Sequence, residues 1–243
     1  MKDVLLRLEK NSLIAKNTYL WVLSGDISHI TAPGQFVNIK LDGFYLRRPI
    51  SVCDVDGDRL TIIFKVVGHG TEKMAEAKVG EEFLVLTGLG NGYDLTKSGD
   101  RPLLLGGGAG VPPMYMLCKE LAREGKEPTV ILGFNTADEV FYKDEFEALG
   151  AKVIVATADG SVGVKGFVTT AMEGVDYTHF YTCGPEPMLK AVYQATTTSG
   201  QMSFEERMGC GFGACMGCSC KTLKGNKRIC KEGPVMEKEE ILW

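Results

Sequence analysis

Four cysteines near the end of the chain constrain its fold more than any other feature. Cys210, Cys215, Cys218 and Cys230 follow the spacing C-x4-C-x2-C-x11-C in a glycine-rich segment. Three thiolates from one loop and a fourth from further along the chain are typical of plant-type iron–sulfur ligation. Small residues between ligands let the backbone wrap a cluster and direct N–H groups at its sulfurs. The spacing predicts a [2Fe–2S] site at these four residues, with a zinc site as the alternative.

Length and composition set the frame for this site. The chain has 243 residues, 44% of them hydrophobic, and a formal net charge of −4. This length predicts two compact domains, alone or with a small appendage, and the charge argues against nucleic acid or an anionic membrane as a partner. Clustered cysteines, an N-terminus unlike a secretory signal and the lack of a membrane-spanning apolar run predict a cytoplasmic protein.

Residues 1–98 are predicted to form a β-rich domain. Short runs of β-branched and aromatic residues alternate with turn residues, and the runs lie at 19–23, 35–40, 59–67 and 82–86. Closely spaced strands of this kind predict an antiparallel barrel or sandwich. One helix is expected to interrupt it at 71–77, with Thr71 as its N-cap.

Residues 99–202 change to an alternation of strands and helices. Strands are predicted at 102–105, 129–132, 152–156 and 179–182, and helices from Pro112 and at 143–149, 167–172 and 187–194. This alternation predicts an open parallel sheet with helices on both faces. Residues 203–243 have little periodicity and form a small cysteine-organised domain, so the predicted fold class is multidomain, β plus α/β.

Two segments of the β-rich part have the chemistry of a flavin site. A flavin needs a cation for its diphosphate and a donor near its N5 edge, and Arg48 and Ser51 on one strand supply both. In the segment 64–71, a strand runs through glycines into a helix N-terminus, which is suited to an anion. A solvated Arg-Arg edge is the alternative for the first motif.

Two strand ends of the α/β part are suited to a dinucleotide. The glycine loop 106–110 joins a strand to a helix, where backbone N–H groups favour a pyrophosphate, although a plain tight turn is the alternative. Cys183 ends a later strand and either faces a nicotinamide or is a buried thiol. The segment 133–142 carries Asp138 and Glu139 but no Arg, which favours NAD over NADP.

These motifs, in this order, resemble the ferredoxin-NADP⁺ reductase superfamily over about residues 1–200. With the cysteine tail, the chain resembles the family of electron-transfer subunits of class 1B dihydroorotate dehydrogenases. The resemblance implies an FAD barrel, an NAD domain and a [2Fe–2S] appendage. It also implies a partner subunit that holds FMN and oxidises dihydroorotate, in a heterotetramer of two copies of each.

The resemblance also implies roles for particular residues. The FAD site comprises Arg48, Pro49, Ile50, Ser51, Lys65, Val66, Val67, Gly70 and Thr71. NAD faces Gly108, Gly110 and Cys183, and the cluster takes Cys210, Cys215, Cys218 and Cys230. No side chain is expected to act as a general acid or base.

Two departures and two alternatives accompany this interpretation. Ile50 replaces the usual aromatic between the Arg and the Ser, so stacking on the flavin is lost there, and Trp243 receives no flavin-covering role. The alternatives are the FAD/[2Fe–2S] subunit of a ferredoxin-dependent transhydrogenase or sulfide dehydrogenase, and a zinc-stapled binding module. We also expect some of the surface at 210–220 to be apolar or weakly charged and covered by a partner. Cys220, in the same segment, is predicted to be a spare thiol rather than a cluster ligand.

Overall fold

The first part of the chain folds into a closed antiparallel barrel. The computed structural model describes residues 1–243. Six strands close the barrel in the order β1-β2-β5-β4-β3-β6. They are β1 (Lys2–Ala15), β2 (Thr18–Ser24), β3 (Phe36–Ile39), β4 (Arg48–Asp56), β5 (Arg59–Lys65) and β6 (Glu82–Leu89). The predicted barrel is therefore confirmed.

Strand β1 is the strand of the barrel that the sequence predictions missed. Its apolar residues Val4, Leu6 and Leu8 alternate with exposed residues and point into the barrel core, where Trp21 is also fully buried. Strict alternation over seven residues is the signature of a half-buried strand. In the sequence this alternation is interrupted by Leu5, an apolar residue on the outer face that is 57% exposed.

The barrel's helix α1 (His69–Ala75) begins two residues earlier than predicted, with Gly68 as its N-cap. Thr71 as N-cap was therefore wrong, because Thr71 is the third helical residue. Its hydroxyl accepts the N–H groups of Val67 and Gly68 at 2.9 and 3.2 Å and donates to the Gly68 carbonyl at 2.9 Å. Thr71 thus fixes the turn that precedes the helix.

The second part is a seven-stranded sheet with helices on both faces. Its order is β10-β9-β8-β7-β11-β12-β15, parallel except for the last pair. The strands are β7 (Pro102–Gly107), β8 (Thr129–Phe134), β9 (Lys152–Thr157), β10 (Val164–Lys165), β11 (His179–Cys183), β12 (Gly200–Ser203) and β15 (Val235–Glu237). The helices are α2 (Val111–Arg123), α3 (Lys143–Ala148), α4 (Val168–Ala171) and α5 (Glu186–Ala195). Helices α2 and α3 pack on one face, α4 and α5 on the other.

The tail contributes the antiparallel edge strand β15 and a hairpin of β13 (Ser219–Thr222) and β14 (Gly225–Arg228). Its buried residues Cys218, Ile229 and Cys230 share an apolar cluster with Phe36 of the barrel. Trp243 packs 5.9 Å from Phe204 and 6.2 Å from Tyr193, ring centre to ring centre. None of the chain's helices has the length and apolar character needed to cross a bilayer.

Candidate functional site

The predicted flavin motifs meet in space. Arg48 starts β4, and its guanidinium lies 4.6 Å from the Phe44 ring centre and donates to the Leu46 carbonyl at 2.6 Å. The same guanidinium lies against the backbone of Gly70, where a Cβ would overlap it. With glycine at this position the guanidinium can lie against the backbone, so the two segments meet at one cation.

Strand pairing shows which way the flavin motif faces. In the β3–β4 register, Phe36 stands opposite Ser51 and Asn38 stands opposite Pro49. Directly opposed residues in an antiparallel pair project from the same face. Val37 and Ile39 project into the barrel core, so this shared face is the outer one. The outer face carrying Ser51 is therefore continuous with the surface on which the tail packs.

Lys65, by contrast, reaches across to the second domain. Its Nζ lies 2.6 Å from Glu139 Oε1, and the two side chains are 33% and 15% exposed. Glu139 also accepts hydrogen bonds from the backbone N–H (3.3 Å) and the side-chain amide (2.9 Å) of Asn135. Burial opposes ionisation of Glu139, but Lys65 and Asn135 outweigh it and hold its pKa below the ordinary value. Half-buried Val66 and exposed Val67 complete this segment.

A cleft of about 540 Å³ opens at the carboxyl ends of the parallel strands. It lies where the strand order reverses, between β7 and β11, which is where open α/β sheets bind ligands. Its walls are the glycine loop after β7, the loop at 184–185 after β11, the N-terminal ends of α4 and α5, Lys65 and Glu139. Gly108 and Gly110 both line it, and their predicted contact with NAD stays a prediction.

Cys183 lies behind this cleft rather than in its wall. Only 1% of the residue is exposed, and burial raises the pKa of its thiol. A Cβ at Gly110 would overlap the carbonyl of Cys183 and the nitrogen of Gly184. The two loops therefore touch through backbone atoms, and the predicted contact of Cys183 with a nicotinamide stays a prediction.

Sequence reasoning missed two residues of this region. Glu205 lines the cleft, and burial raises the pKa of its carboxyl. It follows the end of β12, so the rule that ligands gather at carboxyl strand ends could have found it. Phe167, 70% exposed, forms another part of the wall.

The four cysteines stand as two pairs. Cys218 and Cys230 are buried, with their sulfurs 3.3 Å apart. Cys215 contacts Cys210 through its thiol and its backbone N–H. No three side chains of the types that bind metals already stand together in the geometry of a metal ion site.

The loop around Cys210 has the donors that an iron–sulfur cluster requires. The Cys210 sulfur accepts N–H groups from Phe212, Ala214 and Cys215 at 3.5, 3.2 and 3.4 Å. Burial raises its pKa, but these donors outweigh burial and lower it to about 6. For Cys230, burial and the Cys218 thiol raise the pKa to about 12. Backbone donors directed at sulfur stabilise the thiolate, which is the form in which cysteine binds a metal ion or an iron–sulfur cluster.

Two side chains fix the shape of this loop. Arg228 donates to the Gly213 carbonyl at 2.7 Å and forms an ion pair with Glu232.

Phe212 and Met216 remain 43% and 54% exposed, which confirms the predicted apolar surface beside the cysteines. Cys220 lies on β13, half-buried.

Comparisons with known proteins agree with this geometry. The iron–sulfur cluster binding domain of dihydroorotate dehydrogenase B matches residues 205–242, and the oxidoreductase NAD-binding domain matches residues 104–194. The chain is 47% identical, over 93% of both proteins, to the electron transfer subunit of dihydroorotate dehydrogenase B (NAD(+)) from Fusobacterium nucleatum subsp. nucleatum. The protein of the same description from Geobacillus sp. is 41% identical, covering 100% of this chain and 99% of its own length.

Solved structures give the same picture of the fold. An NADH-dependent reduced ferredoxin-NADP oxidoreductase structure, described in connection with flavin-based electron bifurcation, superposes with a TM-score of 0.90 at 29% identity, covering 99% of this chain and 90% of that one. The cytochrome P450 reductase GcoB of Amycolatopsis superposes with a TM-score of 0.70 at 18% identity, covering 80% and 65%. At 18% identity, the likeness to GcoB concerns the fold alone.

Proposed function

The chain belongs to the family of electron transfer subunits of dihydroorotate dehydrogenase B, and from this premise we propose that it carries electrons from a dihydroorotate-oxidising partner to NAD⁺. Dihydroorotate loses two electrons and two protons on becoming orotate. NAD⁺ takes both electrons with one proton, as hydride, and the other proton goes to solvent. The [2Fe–2S] cluster supplies one-electron steps and FAD supplies the exchange between one- and two-electron transfer.

The observation that carries this proposal is the packing of the tail on the barrel. Cys218 and Cys230 share one apolar cluster with Phe36, and Phe36 stands opposite Ser51 in the β3–β4 register. The cysteine site therefore lies beside the strand that carries the flavin motif. On the other side, Lys65 joins the barrel to the wall of the dinucleotide cleft. This order supports a flavin site between the cluster and NAD.

We propose the following residue roles on this geometry. Arg48, set against Gly70, neutralises the FAD diphosphate, and the hydroxyl of Ser51 faces the flavin N5 edge. Pro49, Ile50, Val66, Val67 and Thr71 shape the same site, while Lys65 bridges it to the cleft. Gly108 and Gly110 admit the NAD pyrophosphate, with Cys183 behind them. Cys210, Cys215, Cys218 and Cys230 bind the cluster.

The partner is proposed to be an FMN-bearing catalytic subunit, in a complex of two copies of each chain. Exposed Phe212, Met216 and Cys215 form the surface that it covers. A buried apolar interface of this kind excludes water from the path to the cluster.

The functional parts are proposed to be residues 1–98 for FAD, 99–202 for NAD and 203–243 for the cluster. The unbridged thiols are consistent with a reducing, cytoplasmic compartment.

Anaerobic reduction with NADH tests the proposal on the isolated chain. The purified protein should contain FAD and iron, and NADH should produce the electron paramagnetic resonance signal of a reduced [2Fe–2S] cluster. Co-expression with an FMN-bearing dihydroorotate dehydrogenase subunit should then yield dihydroorotate-dependent NAD⁺ reduction. Iron-free, colourless protein that folds normally would contradict the proposal. Stable association with a larger iron–sulfur flavoprotein instead would favour the alternative, the subunit of a ferredoxin-dependent transhydrogenase or sulfide dehydrogenase. The likeness to the NADH-dependent reduced ferredoxin-NADP oxidoreductase is the observation that favours testing this alternative.

A further inference from the structure

The segment that carries all four predicted cluster cysteines is strongly basic. Between positions 207 and 231 lie six lysine or arginine residues and no aspartate or glutamate. The segment therefore has a formal charge of +6 in a chain whose net charge is −4, so the other residues together carry −10. A surface patch of one sign attracts a partner of the opposite sign and steers its approach.

Half of these basic residues are neutralised within the tail. Lys227 and Lys224 pair with the buried Glu240 at 2.7 and 3.4 Å, and Arg228 pairs with Glu232. These ion pairs tie the hairpin and the cysteine loop to the rest of the tail. The basic side chains that remain are available to another molecule.

The other three, Arg207, Lys221 and Lys231, are exposed and form no ion pair. Arg207 precedes the first cysteine by three residues, Lys221 follows the third by three, and Lys231 directly follows the fourth. The stem of Lys231 lies against Gly213 of the cysteine loop, where a Cβ would overlap its Cδ. Three unpaired cations therefore border this loop.

The centre of the same face is apolar. Phe212 and Met216 are 43% and 54% exposed, and Cys215, a predicted cluster ligand between them in the chain, is exposed as well. An apolar centre with a polar rim is the usual anatomy of a protein–protein interface. The exposed ligand places the edge of the cluster site at that contact.

We propose that this basic face, formed by Arg207, Lys221 and Lys231 around Phe212 and Met216, docks an acidic surface of the partner subunit. The inference rests on the function proposed above and adds the chemistry of the partner's surface, in which aspartate and glutamate side chains border an apolar contact. The opposite charges steer the two proteins together, and the apolar centres then exclude water between them.

A second copy of this chain is the competing occupant. It also offers acidic surface, because the residues outside the segment carry −10. A contact between the basic face of one copy and an acidic face of the next is head-to-tail, so it would build rings or open filaments. The partner subunit, which must exchange electrons with the cluster, is the occupant that the proposed function requires.

The test measures the association rate of the purified, cofactor-loaded chain with the partner subunit by surface plasmon resonance. Ionic strength is varied from about 0.01 to about 1 M, over which the Debye length falls from about 30 to about 3 Å. The variants are Lys221→Glu, Lys231→Glu and the two together. Lys152→Glu is the matched control for the single variants, because Lys152 is exposed and unpaired on β9, five strands away from β15 in the sheet. Iron, FAD and the cluster midpoint potential are measured for every variant.

We expect the association rate of the wild type to fall steeply as ionic strength rises. At low ionic strength each single reversal should lower the rate about threefold and the double reversal about tenfold, which lies within the range that electrostatic steering supplies. Lys152→Glu should match the wild type, and no variant should lose iron or FAD. If Lys231→Glu does not fold, Lys231→Gln removes the charge, keeps most of the stem and should still slow association.

Three results would overturn the inference. One is an association rate that neither salt nor the reversals change. Another is a shifted cluster potential with unchanged association, which would assign the cations to the negative charge of the cluster itself. The third is salt-sensitive self-association of the isolated chain that Lys231→Glu abolishes, which would assign the face to a second copy. A wild-type chain without an NADH-reducible cluster would contradict the proposed function instead, so the two failures are distinguishable.

Discussion

Gly110→Ala should impair the function of the dinucleotide cleft while the rest of the molecule stays folded. Gly110 has an ordinary backbone conformation, φ −84° and ψ −6°, so alanine adds no torsional strain there. Its Cβ would overlap the backbone of Cys183 and Gly184, which are rigid strand-end atoms rather than a movable side chain. The two loops must move apart by roughly 1 Å, and a displacement of that size costs about 100-fold in rate. This corresponds to about 2.7 kcal/mol in kcat/KM for NADH.

Gly125→Ala provides the control for the stability cost of such a change. Gly125 has φ +76° and open space around its Cα, so alanine there is strained by about 1–2 kcal/mol without a clash. Gly110→Ala should lose a similar 1–3 kcal/mol from overpacking. Both variants should therefore unfold at lower temperature, while only Gly110→Ala loses NADH-dependent reduction of ferricyanide. A kcat/KM for Gly110→Ala within threefold of that for Gly125→Ala would refute the reasoning.

Three further predictions concern the other parts of the site. Arg48→Ala should weaken FAD binding about 10- to 100-fold, because a hydrogen bond to a charged group contributes about 1.5–3 kcal/mol. Arg47→Ala, the control, removes only a surface ion pair with Asp3 and should leave FAD binding unchanged. The release of FAD on dilution, followed by flavin fluorescence, measures both variants. Cys218→Ser should lose iron and keep FAD, and Cys220→Ser should keep both, by metal and flavin analysis. Glu139 has a folded-state pKa below its unfolded value of about 4.3, so its contribution to stability is complete above that pH and is lost as the pH falls through the folded pKa. Glu139→Gln should therefore flatten the acid side of the thermal-unfolding profile, and an unchanged acid limb would contradict this role.

The fold was largely predictable because its signals are local. The segments 129–132 and 152–156 were recognised as strands from short β-branched runs, and the structure extends them only by one or two residues as β8 and β9. Strand β1 was missed because Leu5, on its exposed face, interrupts the apolar–polar alternation in the sequence. Thr71 was misplaced because a threonine before a helix and one inside its first turn offer the same hydroxyl, and only the hydrogen bonds distinguish them.

The sequence by itself determined the cysteine spacing, the glycine loops and the order of the three functional parts. These depend on residue type and on short separations along the chain, which backbone sterics and ligand geometry constrain directly. Tertiary structure alone decided that Lys65 pairs with Glu139, that Glu205 lines the cleft and that Asn38 meets Gly211. Those contacts join residues between about 70 and 170 positions apart. They follow from strand register and domain packing, which many weak interactions set together and which no local pattern records.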